Sequence, residues 1–250
     1  MALHPDIEAV IHGDSEGCIV CGDCLDVMRD MPDGCIDALV TDPPYGIALE
    51  NHDRTGKFRR TRSWAINGDA SLDSAMRVLE WAGTATVAMF CSPDVPLPGK
   101  WRSRLVWHKV GLGMGGDPAT CWRRDWEMIC VRGNPPLEGG RDSSVLEFQI
   151  RPNEFTHPCQ KPVALMEYLI CKLSADIILD PFCGSGTTCV AAKKLGRKWI
   201  GIEIDERYCE IARNRVKNTP RPLFAPEPAE PAQQQLFSTG VATDGAAKPL

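Results

Sequence analysis

Asp180-Pro181-Phe182-Cys183-Gly184-Ser185-Gly186-Thr187-Thr188 stands between a short apolar run, 177–179, and an Ala- and Lys-containing stretch closed by Gly196. A strand ending on an acid, a turn with two glycines and a helix running to about Leu195 make half of a Rossmann-like unit. Glycines let another group approach the backbone closely, and the free N–H groups at a helix start favour an anion. A nicotinamide-binding turn would read G-x-G-x-x-G, whereas Gly184-Ser185-Gly186 is followed by Thr187, Thr188 and Cys189. The next strand, expected over 199–204, carries Glu203 near its end, 19 residues beyond Gly184, the distance at which an acid can meet a ribose diol. Asp205 is expected to cap the helix 206–217. Upstream, His157-Pro158-Cys159-Gln160-Lys161-Pro162 leads into a helix with Leu165, Met166, Leu169, Ile170 and Leu173 on its apolar face and Pro162 at its first position.

A second segment meets the first in chemistry. Thr41-Asp42-Pro43-Pro44-Tyr45-Gly46 ends the apolar run 36–40, which only Asp37 interrupts. A buried strand delivers polar groups to a sheet edge in this way. Each part suits an exocyclic amino group on a planar base. The Asp42 carboxylate can accept one N–H and the Pro43 carbonyl the other; Pro43 and Pro44 together stiffen the turn, and Tyr45 offers a ring for stacking. Taken alone, the segment is equally a strand that stops at a Pro-Pro turn.

Together the two segments resemble the amino-directed DNA methyltransferases, which methylate adenine N6 or cytosine N4 with S-adenosyl-L-methionine. The likeness spans roughly residues 18–217, and the catalytic motif precedes the cofactor motif, as in the circularly permuted order called the beta class. The resemblance implies a three-layer α/β, Rossmann-like fold with a mostly parallel sheet and both motifs at the carboxyl ends of strands. It implies a catalytic set of Asp42, Pro43, Pro44 and Tyr45. The cofactor would be met by Asp23, Lys161, Asp180, Pro181, Phe182, Cys183, Gly184, Ser185, Gly186, Thr187 and Glu203, with Asp23 on its adenine and Lys161 on its carboxylate. Adenine is favoured as target because Asp at the first motif position is commoner than Ser among the adenine enzymes. Cytosine N4, or an RNA or protein amide, is the alternative substrate, and a non-enzymatic DNA-binding module is the alternative class.

The remaining chain is read around these motifs. Residues 18–21 suggest a strand and 25–31 a short helix, so that Asp23 sits at a strand end expected beside the catalytic strand; a helix cap is its other reading. Residues 51–64 hold Arg54, Lys57, Arg59, Arg60 and Arg62 against one acid, Asp53, with Phe58 and Trp64 between them, a pattern expected to contact DNA phosphates. An amphipathic helix is expected over 73–82 and strands over 84–90, 105–107 and 127–131. Trp107, Lys109, Trp126 and Glu127 resemble the family's wall around the flipped base, with Lys109 a further DNA contact; the two tryptophans could equally be core aromatics. Residues 133–153 leave room for a short target-recognition segment. Pro158-Cys159-Gln160 is also similar to the nucleophile motif of cytosine-C5 methyltransferases, but their Glu-Asn-Val motif is missing from the chain.

Composition sets the outer bounds. With 43% hydrophobic residues in 250, the chain can bury one substantial core, expected over residues 1–218. A net charge of -5 weighs against nucleic acid as partner, and only the local basic run opposes it. No basic leader and no long apolar span is read, so a cytoplasmic protein with no membrane contact is expected. Twelve cysteines are scattered through expected strands and helices and read as reduced thiols. Cys18, Cys21 and Cys24 make a C-x2-C-x2-C run, but with no fourth ligand and two members on one strand no metal is expected. Residues 219–250, with six prolines, read as a disordered tail. Within it Gln233-Gln234-Gln235-Leu236-Phe237 resembles a sliding-clamp-binding peptide. Double-stranded DNA is the expected partner, engaged by a monomer or homodimer.

Overall fold

The computed structural model describes residues 2–46, 71–110, 122, 125–133, 137–149 and 160–222. The basic run 51–64, Cys159 and the peptide 233–237 lie outside the described residues. Eight strands form one sheet: β1 (Gly17–Cys21), β2 (Ala38–Thr41), β3 (Thr86–Cys91), β4 (Ser103–His108), β5 (Trp126–Arg132), β6 (Val145–Glu147), β7 (Ile177–Asp180) and β8 (Lys198–Glu203). Their order across the sheet is β1-β8-β7-β2-β3-β5-β4-β6. Only β5 is reversed, being antiparallel to both β3 and β4, while all other neighbours pair in parallel. Successive residues of a strand send their side chains to alternate faces, so β2 gives Ala38 and Val40 to one core and Leu39 to the other.

Helices cover both faces. α1 (Pro5–His12), α2 (Cys24–Met28) and α3 (Asp73–Trp81) bury Ile7, Val10, Met28, Ala75, Val78 and Leu79 on one side. On the other, α4 (Val163–Lys172), α5 (Thr187–Lys194) and α6 (Glu206–Lys217) bury Leu165, Met166, Leu169, Ile170, Ala191 and Ala212. The result is the three-layer, mostly parallel α/β architecture read from the sequence. β7 leads through α5 to β8 on one side, and β2 leads through α3 to β3 on the other. The chain therefore parts in opposite directions between β7 and β2, leaving a crevice at their carboxyl ends. Asp37, the acid in the apolar run before β2, accepts the backbone N–H groups of Asp176 and Ile177 and so ties the start of β7 to β2.

Several local expectations change. α1 is an addition to the expected elements, bracketed by Pro5 at its start and by Gly13 in the left-handed conformation at its end. β6 lies inside the stretch 133–153 reserved for target recognition; it pairs in parallel with β4 and buries Leu146, so part of that stretch belongs to the sheet. Pro162 caps α4 rather than opening it. Asp23 stands at the end of β1, whose neighbour is β8 and not β2, because two strands intervene between β1 and the catalytic strand. Asp205 caps α6 as expected, its carboxylate accepting the Arg207 N–H at 2.9 Å. No helix among the described residues is long and apolar enough to cross a membrane.

Candidate active site

Adjacent strands deliver the two motifs to one edge. β2 ends at Thr41 and runs straight into Asp42, and its neighbour β7 ends at Asp180. Asp180 is only 4% exposed and binds the motifs together: it accepts from the Thr41 hydroxyl at 2.6 Å, from Thr188 on α5, and from the Phe182 N–H at 3.2 Å. Its oxygens are thus spent within the protein, on holding α5 and β2 at a fixed separation. Burial pushes the Asp180 carboxyl up to about 6, against the hydrogen bonds from Thr188, Thr41 and Phe182, while the charge of Asp42 adds to the rise.

This shift has a sign that can be measured. A carboxyl held above its unfolded value binds its proton more tightly in the fold, so its stabilising contribution is full below pH about 4 and is lost as pH rises through about 6. The whole effect is at most about 3 kcal/mol for a shift of this size. Asp180→Asn keeps an oxygen acceptor and cannot ionise. Wild-type stability, measured by denaturant unfolding, is therefore expected to fall relative to Asp180→Asn between pH about 4 and about 6. Parallel curves would remove the assignment.

At the mouth of the crevice four charged groups and one phenol form a closed network. Because β5 is reversed, its beginning reaches the edge where β2 ends, and Glu127 there faces Asp42 across the site. Tyr45 Oη lies 2.6 Å from Asp42 Oδ1 and 3.0 Å from Glu127 Oε2. Lys161 Nζ lies 2.5 Å from Asp42 Oδ2 and 3.2 Å from Glu127 Oε2. Lys109, which follows β4, donates to Glu127 Oε1 at 2.5 Å and sits 5.3 Å from the centre of the Trp107 ring. Burial raises the Asp42 carboxyl against the pull of the Lys161 ammonium, with the Glu127 charge adding to the rise. Burial would also raise Glu127, but Lys161 and Lys109 outweigh it and hold that carboxyl at about 2. Tyr45 is raised well above its ordinary value by burial and by both carboxylates, so it stays a neutral donor.

Two residues expected on ligands also make ion pairs within the protein. Lys161, expected on the cofactor carboxylate, is engaged by Asp42 and Glu127. Lys109, expected on DNA, turns inward to Glu127 with its side chain 11% exposed. Glu127 is more than part of a wall; its role as the second acid needs the register of β4 and β5, which pairs Trp107 with Glu127. Trp107 is core, 1% exposed and edge-on to Phe90, while Trp126 is 40% exposed.

Beyond β7 the turn is built to leave its upper side open. Gly184 and Gly186 both adopt positive φ, 50° and 78°. A Cβ on Gly186 would stand 2.8 Å from Ala212 Cβ in α6, whereas one on Gly184 would meet nothing within 4 Å. Gly186 therefore serves packing, and Gly184 borders free space. Arg215 of α6 supports the turn from beneath, donating to the Ser185 carbonyl at 2.6 Å, Ser185 Oγ at 2.8 Å and Thr187 Oγ1 at 3.2 Å. Gln160 Oε1 accepts from Ser185 Oγ at 3.2 Å. Pro181 and Cys183 are buried in the turn, and Phe182 packs against the α1–α3 side of the core. Glu203 ends β8 beside the turn, accepting the Gly184 N–H at 3.0 Å and the Asp205 N–H at 2.9 Å. Asp23 caps α2 through the Leu25 N–H at 2.8 Å, and the preceding Gly22 N–H reaches the Glu203 carbonyl at 2.9 Å. An open, glycine-lined turn at an uncapped helix start, flanked by an acid at the next strand end, fits a nucleoside cofactor with an anionic tail.

Residues 100–214 match the family model described as DNA methylase, of the N6/N4 type. Over those residues the chain is similar to that family. The protein YubD of Escherichia coli (strain K12), described as a methylase, is 29% identical over 216 residues, covering 81% of this chain and 91% of its own. The type II methyltransferase M.HpaI of Haemophilus parainfluenzae is 26% identical over 233 residues, covering 79% and 73%. Among solved structures, the M1.HpyAVI–SAM complex superposes with a TM-score of 0.58 at 25% identity, covering 80% of this chain and 99% of that one. The chain is thus similar to proteins described as methylases and methyltransferases, and to a structure solved in complex with SAM.

The cysteine run behaves as separate side chains. Strand alternation puts Cys18 and Cys21 on opposite faces of β1, and Cys24 is buried in α2. Cys21 instead approaches Glu206 and Cys209 of α6, their ligand atoms within 4.8 Å of one another, and Glu206 is also paired with Arg213.

Proposed function

We propose that this protein is an S-adenosyl-L-methionine-dependent DNA methyltransferase that transfers the methyl group to adenine N6 in duplex DNA, with Asp42, Pro43, Pro44 and Tyr45 forming the amino-binding turn. The observation that carries this reading is the junction of the Asp42 turn and the Gly184 turn on neighbouring strands, bridged by Asp180. An exocyclic amino nitrogen is a poor nucleophile because its lone pair is delocalised into the ring. Asp42 and the Pro43 carbonyl accept its two hydrogens and so turn the lone pair out of conjugation, and the Tyr45 ring fixes the base plane. S-adenosyl-L-methionine supplies a methyl group made electrophilic by the adjoining sulfonium. Glu203 is the group for its ribose diol, Gly184 gives the close backbone approach, and Asp23, beside β8, serves the nucleoside end. As the N–C bond forms and the C–S bond breaks, the nitrogen carries one surplus proton. The Asp42 carboxylate, whose affinity for a proton is raised by burial, is its acceptor in this reading. Adenine is preferred to cytosine because Asp rather than Ser stands at position 42. A base in duplex must first leave the stack, which costs a few kcal/mol.

Transfer of labelled methyl from the cofactor to duplex DNA, RNA and protein, assayed side by side, tests the substrate class. Label in duplex DNA alone is expected, and label in RNA or protein alone would overturn it. The basic run supplies a separate expectation. If Arg54, Lys57, Arg59, Arg60 and Arg62 neutralise phosphates, their replacement by uncharged residues weakens DNA binding. The slope of log K against log[salt] then becomes shallower by about 0.9 for each phosphate left unneutralised, with cofactor affinity intact. An unchanged slope would rule out that role for the run.

A further inference from the structure

We propose that Glu127 is a positioning residue that takes over Lys161 and Tyr45 when the substrate amino group occupies Asp42. The inference rests on the reading of Asp42 as the amino acceptor. Both Asp42 oxygens are already occupied, Oδ1 by Tyr45 Oη and Oδ2 by Lys161 Nζ. A carboxylate oxygen can accept more than one hydrogen bond, so an arriving N–H competes with these donors, and an ammonium that is 7% exposed and loosened from Asp42 keeps Glu127 as an acceptor. Glu127 Oε2 lies within reach of both, 3.0 Å from Tyr45 Oη and 3.2 Å from Lys161 Nζ. A hydroxyl has one proton and can serve only one carboxylate at a time, so the arrangement has two hydrogen-bonded states. Lys109 anchors Glu127 through its other oxygen, Oε1, and leaves Oε2 for the exchange. The titratable groups facing this pair are Lys161 from before α4, Lys109 from after β4, the neutral Tyr45 from the turn itself and Asp180 from β7.

Glu127→Gln keeps the shape and removes the charge, so Asp42 becomes the stronger of the two acceptors facing Lys161. Asp42 is held more firmly and gives way less readily to substrate, and kcat is expected to fall on the order of tenfold to a hundredfold with cofactor affinity unchanged. The negative charge that opposes ionisation of Asp42 is also gone, so the acid limb of the pH profile of kcat shifts to lower pH. Glu127→Asp, with its charge retained, should return the acid limb towards wild type. The measurement is the pH dependence of methyl transfer to duplex DNA for the three proteins, with unfolding curves alongside. A lowered kcat with an unmoved acid limb would reduce Glu127 to a structural residue and overturn the inference. If wild type itself gives no amino-methylated DNA, the reading of Asp42 fails instead, so the two failures are distinguishable.

Discussion

Asp42→Ala is expected to lower turnover by at least about a thousandfold, while the protein still folds and binds DNA. Holding two N–H groups so that the nitrogen lone pair points at the methyl carbon combines alignment with stabilisation of developing charge. Together these are capable of several kcal/mol, and each 1.4 kcal/mol is about tenfold in rate. The substitution removes the only side chain of the turn that can both accept a hydrogen bond and take a proton. It also leaves Lys161 to Glu127, which lies 3.2 Å away, so the ammonium is not stranded and the fold should tolerate the change. Single-turnover kinetics with a saturating cofactor would check it, with cofactor and DNA affinities measured on the same sample. Cys159→Ser should retain turnover, because amino transfer uses no covalent intermediate. A dead Cys159→Ser together with a covalent adduct on fluorinated cytosine would replace the mechanism with C5 chemistry.

The second large effect separates two glycines that lie two residues apart. Gly186→Ala places a Cβ at φ 78°, where it would stand 2.8 Å from Ala212 Cβ and 3.1 Å from Ala212 Cα. The left-handed conformation costs about 1 kcal/mol for Ala, and overpacking against a helix backbone about 1–3 kcal/mol more. The melting temperature should accordingly fall by about 5–15 °C for a domain of this size. Gly184→Ala bears the same conformational strain at φ 50°, but its Cβ enters open space. It should melt within a few degrees of wild type while losing on the order of tenfold or more in cofactor affinity, because its methyl fills the side from which the ligand approaches. Calorimetric melting and cofactor titration of both variants decide the matter. Equal loss of stability in the two would contradict the division of labour.

Local patterns carry most of the fold. The apolar run that ends in β2, the helical spacing of Ala75, Val78 and Leu79, and the Gly184–Gly186 turn before α5 each signal their element within a few residues. β6 escapes such reading because three residues on a sheet edge have almost no pattern of their own; only pairing with β4 makes them a strand. The neighbour expected for Asp23 is wrong for a related reason. Its strand is recognisable, but strand order depends on the crossovers, which sequence periodicity does not encode. The site shows the same division. Asp42 and Tyr45 are three residues apart and legible as a unit, whereas Glu127 enters from a reversed strand and Lys161 from the approach to α4. Their meeting is a product of topology. The inward turn of Lys109 is hidden likewise, since a lysine after a strand reads as a surface charge until Glu127 is placed opposite it.

The most direct test of the chemistry at Asp42 is the identity of the methylated nucleoside. Duplex DNA incubated with the purified protein and S-adenosyl-L-methionine is digested to nucleosides and resolved by chromatography and mass. N6-methyldeoxyadenosine as the product, absent with Asp42→Ala, is the expected result. N4-methyldeoxycytidine would keep the amino-binding turn and overturn the choice of adenine, and 5-methyldeoxycytidine would contradict amino transfer altogether.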